Sequence, residues 1–304
     1  MTVFTALTDT QIQSLLSRQQ LTLVSSRPIS EGIENSNYML EARRANGIPV
    51  ALVLTLFERL SAEQLPWFIR LTHALQARGL PVPAPLGGEA ALMEMAGKPA
   101  LLVPKLAGAH VRHASPGQLA TLGRALATLH LSPLTTDGAP PGPEQQLQAL
   151  VATHLPTLPE AARSRAGPLL ERWWAAPATP VLCHGDLFRD NVLFSGARLT
   201  GLLDFYNAGF ASAEYDLAIT INDWCLGPQR QPNAALQRAL LDGYQQLRPL
   251  DSAARRRLPL ALAIAALRFW LSRLESAAET PVFGPGRKDP AEFEQLFAIR
   301  AAAA

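Results

Sequence analysis

The 304-residue sequence contains only two cysteines, has almost no net charge and has no long apolar run. Cys183 and Cys225 are far apart and form no C-x-x-C pair. This spacing excludes a cysteine-rich metal site and a disulfide-stapled secreted fold. We therefore expect two reduced thiols in a cytoplasmic protein.

The missing apolar runs and the balanced charge exclude two kinds of partner. The longest apolar run, LPLALAIAAL at 258–267, ends at Arg268 and is too short to span a bilayer. The N-terminal segment has no basic stretch followed by an apolar core, so no signal peptide is predicted. The 27 basic and 25 acidic side chains leave a net charge of only +2. We predict no membrane and no nucleic-acid partner, and we expect a small-molecule ligand.

The chain is 48% hydrophobic, which is enough to bury a sizeable core in two lobes. Residues 1–104 combine a helix capped by Thr8 or Asp9, two strands joined at an Asn46–Gly47 turn, and a helix at about 63–78. From about residue 105 the pattern changes to long Ala- and Leu-rich helices, one of which starts after Ser115. The predicted fold is α+β, with a small N-terminal β-sheet lobe (1–104) and a larger, mainly helical C-terminal lobe (105–304).

The segment VLCHGDLFRDNVLF at 181–194 places several polar groups between strand-like runs. NVLF and RLTGLLDF are predicted to form a hairpin around an SGA turn, which returns Asp204 to the neighbourhood of Asn191. An amide and a carboxylate at one point suit Mg²⁺, a hard cation that takes oxygen ligands. Asp186 lies just upstream and would meet a hydroxyl beside that metal. His184 is more simply explained as a residue that orders the loop through a backbone hydrogen bond.

The spacing His184-x-Asp186-x4-Asn191, followed by Asp204, resembles the catalytic loop and metal-binding Asp of the protein-kinase-like fold. The H-G-D form of the loop is that of the aminoglycoside phosphotransferase-like kinases. The resemblance implies that Asp186 accepts the proton of the substrate hydroxyl, while Asn191 and Asp204 hold Mg²⁺. An ordinary loop beside a metal-free hairpin is the alternative that H-x-D alone leaves open.

Further segments, found in order from about residue 29 to 275, look like the homoserine kinases of this type. They include EGIENSNYML, LTLFE, GKPALLVPKLAG, GLLDFYNA, YDLAITINDWC and LRFWLSRL, and DFYNA and NDWC are the specific part. The resemblance implies ATP-dependent phosphorylation of L-homoserine to O-phospho-L-homoserine on the route to threonine. Two alternatives stay open: a kinase of the same fold for an aminoglycoside, choline or a sugar, and a catalytically silent nucleotide-binding protein.

One position departs from the general kinase pattern. Thr55 stands about where a kinase carries the Lys that pairs with the ATP phosphates. The homoserine kinases that the chain resembles also have LT at this point. Arg43, Arg44 and Arg59 are candidates for the cation that neutralises the phosphates.

The phosphate-covering loop is also unusual. SEGIENSNY contains only Gly32, where a Gly-rich phosphate loop has three glycines. Ser36, Asn35 and Asn37 are predicted to supply hydroxyl, amide and backbone donors to phosphate oxygens. A polar hairpin turn without a ligand is the alternative.

An amino-acid substrate brings an ammonium and a carboxylate, so its site needs an acid and a cation or N–H cluster. Tyr206 and Asp223 follow the hairpin and are predicted to contact the substrate. Arg268 lies at the edge of an apolar helical face, where an unpaired guanidinium is costly to bury. Its predicted partner is Asp216, Asp223 or the substrate carboxylate.

Overall fold

The structure is a computed structural model that describes residues 5–29, 35–133, 136–176, 178–279 and 289–304. The chain divides into two compact units, Met1–Ala107 and Gly108–Ala304. The first unit is built on an antiparallel sheet and the second is mainly helical. This division agrees with the predicted α+β class.

The first unit contains a five-stranded antiparallel sheet with strand order β1-β2-β3-β5-β4. The strands are β1 (Leu21–Ile29), β2 (Asn35–Arg44), β3 (Pro49–Phe57), β4 (Met93–Met95) and β5 (Lys98–Pro104). The predicted turn between β2 and β3 is confirmed, and Gly47 in it has a φ of +80°, which a residue without Cβ adopts freely. Strand β1 is missing from the sequence prediction because only Leu21 of its nine residues is buried, so it shows no apolar alternation.

Two helices accompany this sheet, α1 (Asp9–Ser17) and α2 (Leu65–Ala77). Thr8 caps α1, and Gln11 completes a capping box. The apolar face of α1 packs on one side of the sheet, in a core that includes Leu16, Leu40 and Leu54. Because strand residues alternate between faces, the even-numbered residues of β2 point toward α1.

The second unit contains helices α3 (Pro116–His130), α4 (Pro143–His154), α5 (Glu160–Ala175), α6 (Ala213–Trp224), α7 (Ala234–Gln245), α8 (Ser252–Glu279) and α9 (Pro290–Ala301). Ser115 caps α3, as predicted, and Gln118 completes a capping box. Helix α8 packs against α4, α5, α6 and α9. Helix α6 is buried on almost every side, so its polar residues must find hydrogen-bond partners inside the unit.

Two small antiparallel sheets lie among these helices. One pairs β6 (Pro180–Cys183) with β9 (Gly209–Ser212), and the other pairs β7 (Val192–Ser195) with β8 (Arg198–Leu202). The β7–β8 pair is the predicted hairpin, with Ser195 opposite Arg198 across the turn. Strand β6 ends at the loop that carries the H-G-D motif, and β8 ends just before Asp204.

Two expectations drawn from what the sequence lacks can be compared with the structure. Cys183 and Cys225 are both free and buried, which confirms the predicted reduced thiols. Over the described ranges, none of the helices is both long enough and apolar enough to cross a membrane.

Candidate active site

The loop after β6 takes its shape first from the His184 side chain, which is fully buried. The ring Nε2 donates to the Leu203 carbonyl at 2.9 Å, and Nδ1 accepts the Asp186 N–H at 3.3 Å. Since a carbonyl only accepts and an amide N–H only donates, the ring carries its proton on Nε2. The predicted role of His184 in ordering the loop is confirmed.

Gly185 lets the chain turn at a point where there is no room for a side chain. Its φ is +78°, and a Cβ built there would lie 2.4 Å from the Asn207 carbonyl oxygen and 2.9 Å from Pro143 Cγ. The first of these atoms is backbone and cannot move without displacing the following segment. A glycine is therefore required between His184 and Asp186 for steric as well as conformational reasons.

Asp186 and Asn191 are tied together within this loop. Asn191 Nδ2 donates to the Asp186 carbonyl at 2.8 Å and to Asp186 Oδ2 at 3.1 Å. These bonds commit the amide nitrogen, so the amide oxygen is the atom that can face a cation. The same bonds hold the partly exposed Asp186 carboxylate in a fixed orientation, as a proton acceptor requires.

The β7–β8 hairpin brings Asp204 beside Asn191. The Leu203 N–H donates to the Asn191 carbonyl at 2.9 Å, and the Leu203 carbonyl accepts the His184 ring. Asp204 follows at once, is exposed, and has φ +58° and ψ +67°. This left-handed conformation is tolerated by Asp better than by most residues. Two bonds to Leu203 thus fix the backbone from which the Asp204 carboxylate projects.

The donor atoms at this point fit a hard divalent cation. The Asn191 amide oxygen and the Asp204 carboxylate are both oxygen ligands, and together they carry one negative charge. Mg²⁺ is commonly held by one or two carboxylates, with phosphate oxygens and water completing the shell. The residues present therefore match the predicted Mg²⁺ ligands in chemistry.

Tyr206 lies in a 3-10 turn, Phe205–Asn207, directly after Asp204. Burial, and secondly the negative charge of Asp204, raises the pKa of Tyr206 well above its usual value. The hydroxyl therefore stays protonated at neutral pH and can act as a hydrogen-bond donor.

Asp216 on α6 anchors the loop that follows β6. It is fully buried, and its Oδ2 and Oδ1 accept the His184 and Gly185 N–H groups, each at 2.8 Å. The His130 ring lies 3.0 Å from Oδ2 through Nε2 and 2.7 Å from the Tyr244 hydroxyl through Nδ1. Burial raises the pKa of Asp216, but its hydrogen bonds and electrostatic interactions, first those with the His130 ring, outweigh burial and hold the pKa below its ordinary value.

His130, Cys183 and Asp216 also have the residue types of a metal site, with ligand atoms within 4.8 Å of one another. Both Asp216 oxygens already accept N–H groups of the loop. Burial raises the pKa of the Cys183 thiol well above its usual value, which disfavours the thiolate that a metal needs. We interpret His130 and Asp216 as members of a buried hydrogen-bond network, beside which the Cys183 thiol donates to backbone carbonyls.

The NDWC segment at the end of α6 holds the part of the same loop that follows Asp186. Trp224 Nε1 donates to the Leu187 carbonyl at 2.9 Å, and Asp223 Oδ2 accepts the Arg189 N–H at 2.8 Å. The partners in these two contacts are 37 and 34 residues apart in sequence. The sequence therefore shows the motif but does not show that it anchors the loop. Asp223 is thus engaged with the loop itself, and its predicted contact with substrate stays a prediction.

Arg268 on α8 has partners that the sequence did not suggest. Its Nη1 donates to the Gly185 carbonyl at 3.0 Å and its Nη2 donates to Gln146 Oε1 at 2.9 Å. The hydrogen bonds that the structure describes for Arg268 therefore go to a carbonyl and an amide oxygen, where an acidic partner was expected. Arg268 instead reaches a loop carbonyl, where a cation is the complementary group.

In the first unit, the predicted phosphate contacts at the start of β2 lie on two faces of the sheet. Asn37 is opposite Thr55, whose Oγ1 donates to Asn37 Oδ1 at 2.7 Å. Ser36 faces the other way, is 0% exposed, and donates its hydroxyl to Glu58 Oε1 at 2.6 Å. The Ser36 hydroxyl is thus engaged with Glu58, and its predicted contact with phosphate stays a prediction. Asn35 and Asn37 share the opposite face and stay as predicted contacts.

Lys98 on β5 forms an ion pair with Glu58. Ala100 pairs with Leu56, so alternation puts Lys98 and Glu58 on the same face as Ser36. This lysine therefore does not take the place of the Lys that is missing at Thr55.

The arginines suggested for phosphate neutralisation are separated by the length of β2. Arg43 lies eight residues from Asn35 along the strand, roughly 26 Å at the usual rise, and its Nη1 donates to the Gly47 carbonyl. Arg44 is at the same end, so neither is near Asn35. Arg59 follows the end of β3, which pairs with Asn35, and it stays the candidate. Gly32 lies outside the described residues.

The buried His184 makes the stability of the protein pH-dependent. Burial lowers the pKa of His184 below its ordinary 6.5, so the unfolded chain binds a proton near this pH and the folded chain does not. The free energy of unfolding should then fall as pH drops below 6.5, with a slope of at most about 1.4 kcal/mol per pH unit from this residue. We expect His184→Gln, which cannot titrate, to have a lower free energy of unfolding than wild type at pH 7.5. As the pH falls, its free energy of unfolding should decrease less than that of wild type.

Urea unfolding of both proteins between pH 7.5 and 5.5 measures this difference. His113→Gln, at an exposed position, is the matched control and should follow the wild type. An identical pH dependence in wild type and His184→Gln would show that His184 does not carry the effect.

Comparison with known proteins identifies the family of the chain. The model of the phosphotransferase enzyme family (APH) matches residues 25–250. The homoserine kinase of Pseudomonas aeruginosa is 40% identical, over 99% of this chain and 96% of that protein. The homoserine kinase of Methylobacterium radiotolerans is 37% identical, over 97% and 94% of the two chains.

A solved structure shows that the fold is shared more widely. An amicoumacin kinase in complex with AMP-PNP and Ca²⁺ superimposes with a TM-score of 0.66, covering 95% of this chain and 92% of that chain, at 18% identity. At this identity the likeness concerns the fold alone. Taken with the family match and the two relatives, it leads to one conclusion: the chain belongs to the phosphotransferase enzyme family, with its kinase-like fold, and within it to the homoserine kinases.

Proposed function

We propose that the protein transfers the γ-phosphoryl group of ATP to the side-chain hydroxyl of L-homoserine, giving O-phospho-L-homoserine for threonine synthesis. One observation carries the proposal. In a chain similar over nearly its whole length to homoserine kinases, Asn191 holds Asp186 beside the backbone that presents Asp204. A catalytically silent binding protein would not need an oriented carboxylate at this position.

The chemistry assigned to the chain is proton transfer and positioning. The homoserine hydroxyl oxygen forms a bond to the γ-phosphorus while the bond from that phosphorus to the β,γ-bridging oxygen breaks, and ADP leaves. The hydroxyl proton moves to the Asp186 carboxylate, which the Asn191 amide orients. Catalysis then depends mainly on how rigidly the loop holds this carboxylate.

Asn191 and Asp204 are the proposed Mg²⁺ ligands. When bound, the ion would neutralise charge on the phosphate oxygens. In the first unit, proposed to bind nucleotide, Asn35 and Asn37 are the proposed phosphate contacts and Arg59 is the proposed cation. Tyr206, as a protonated donor, and Asp223 are the proposed substrate contacts in the second unit, which carries the catalytic residues. The two free thiols are compatible with a proposed cytoplasmic location.

Acceptor specificity tests the proposal. We expect L-homoserine to give the highest kcat/KM in a panel with L-serine, choline, an aminoglycoside and a sugar. Serine is one methylene shorter, so its hydroxyl should not reach the phosphoryl group in the correct position. A misplacement of about 1 Å can lower the reaction rate on the order of 10²-fold. The measurement is ADP release coupled to product identification for each acceptor.

Two outcomes of this panel contradict the proposal in different ways. Preference for choline, an aminoglycoside or a sugar would leave a kinase of the same fold with another substrate. Absence of transfer to every acceptor, with Mg²⁺–ATP still bound, would indicate a silent nucleotide-binding protein.

A further inference from the structure

The peptide groups on either side of Gly185 are held by opposite charges. The Gly185 N–H donates to Asp216 Oδ1 at 2.8 Å, and the Gly185 carbonyl accepts from Arg268 Nη1 at 3.0 Å. Asp216 lies on α6 and Arg268 on α8, so two different helices hold the residue that precedes Asp186. Hydrogen bonds to charged groups are stronger than those between neutral groups.

Arg268 is enclosed by the protein. Only 5% of the residue is exposed, its guanidinium carbon lies 4.5 Å from the centre of the Phe269 ring, and Nη2 donates to Gln146. Gln146 is itself fixed, because its Nε2 donates to the Pro141 carbonyl at 3.1 Å. A group that recognises an incoming carboxylate needs a face open to the ligand. Each terminal nitrogen of Arg268 already donates to a protein oxygen, and its Nε is buried with no hydrogen-bond partner among the described residues.

We propose that Arg268 is a positioning residue, which fixes the Gly185 carbonyl and through it the Asp186 carboxylate, and that it does not bind the carboxylate of the acceptor. The proposal rests on the proposed function, since it assigns a role in the same reaction.

The covalent structure of the loop connects Arg268 to Asp186. The carbonyl of Gly185 and the N–H of Asp186 belong to the same planar peptide group. A cation on the oxygen polarises this group, which strengthens the bond that the Asp186 N–H donates to His184 Nδ1. Arg268 therefore fixes the plane from which the Asp186 side chain starts. Loss of the cation frees this plane without changing any atom that touches substrate.

The test uses Arg268→Met, Arg268→Lys and a control on the same helix. Arg257→Met is the matched control, because Arg257 is also an α8 arginine packed on an aromatic ring, 4.0 Å from that of Trp173. For each protein we would measure kcat, KM for L-homoserine, and the ratio of kcat/KM for L-homoserine to that for homoserine amide.

We expect Arg268→Met to lower kcat by about 10- to 10²-fold, the size expected for a misplaced catalytic group, with KM and the acid-to-amide ratio within about twofold of wild type. Arg268→Lys should recover part of the kcat, since an ammonium can still donate to the Gly185 carbonyl. Arg257→Met should keep wild-type kinetics. A raised KM for L-homoserine with a collapsed acid-to-amide ratio would overturn the proposal and make Arg268 a carboxylate ligand.

A second variant keeps the test decisive if Arg268→Met does not fold. Gln146→Leu leaves the guanidinium with the Gly185 carbonyl alone and should lower kcat several-fold at an unchanged acid-to-amide ratio. An unchanged kcat in Gln146→Leu would then overturn the proposal. If wild type does not use L-homoserine at all, the proposed function fails separately. The same split between kcat and KM is then measured with the acceptor that the enzyme does use.

Discussion

Asp186→Asn should lower kcat by roughly 10²-fold or more while leaving Mg²⁺–ATP binding close to that of wild type. The amide is nearly the same size as the carboxylate, and its oxygen can still accept the bond from Asn191 Nδ2. The loop should therefore keep its shape, but the proton of the acceptor hydroxyl loses its acceptor. Because the lost interaction is made in the transition state, the effect should fall on kcat more than on KM.

Three measurements check this prediction: steady-state kcat and KM for L-homoserine, calorimetric titration of Mg²⁺–ATP, and the midpoint of thermal unfolding. Asp242→Asn makes the same chemical change at an exposed position of α7 and should leave all three unchanged. Near-normal turnover of Asp186→Asn would mean that another group takes the proton and that the H-G-D assignment is wrong.

The parts of the fold that the sequence predicts are those set by short-range chemistry. The caps Thr8 and Ser115 bond to groups three residues away, and the Asn46–Gly47 and Ser195–Gly196 turns bring neighbouring strands together. The hairpin is also why Asn191 and Asp204 could be assigned to one point without coordinates. In these cases the partners lie within the same short pattern.

The features that were missed depend on contacts distant in sequence. Asp216 reaches the His184 N–H across 32 residues, and Arg268 reaches the Gly185 carbonyl across 83. No spacing rule connects such pairs, since both residues read simply as polar groups on apolar helices. Ser36 is different, because strand alternation already separates it from Asn35 and Asn37, and the period-two pattern was available in the sequence.

Asp204→Asn should weaken Mg²⁺–ATP binding as well as turnover, in contrast to Asp186→Asn. Asn is the appropriate substitution because it tolerates the left-handed conformation of this residue, with φ +58°, whereas Ala would add backbone strain of about 1 kcal/mol or more. The change removes the negative charge that balances the cation and keeps the side-chain shape. We expect the dissociation constant for Mg²⁺–ATP to rise by about 10-fold or more and kcat to fall on the order of 10²-fold.

The metal dependence of binding identifies the cause. Titration of ATP in the presence of Mg²⁺ and in the presence of EDTA should show a large difference for wild type and a small one for Asp204→Asn, since the variant gains little from the ion. Asp186→Asn is the matched control: it also loses one carboxylate of the same site, but it should keep the full Mg²⁺ effect on binding. If Asp204→Asn and wild type bind Mg²⁺–ATP equally well, Asp204 does not hold the ion. If both variants lose the Mg²⁺ effect equally, the division between a proton-accepting Asp186 and a metal-binding Asp204 fails, because the two carboxylates would then share the cation.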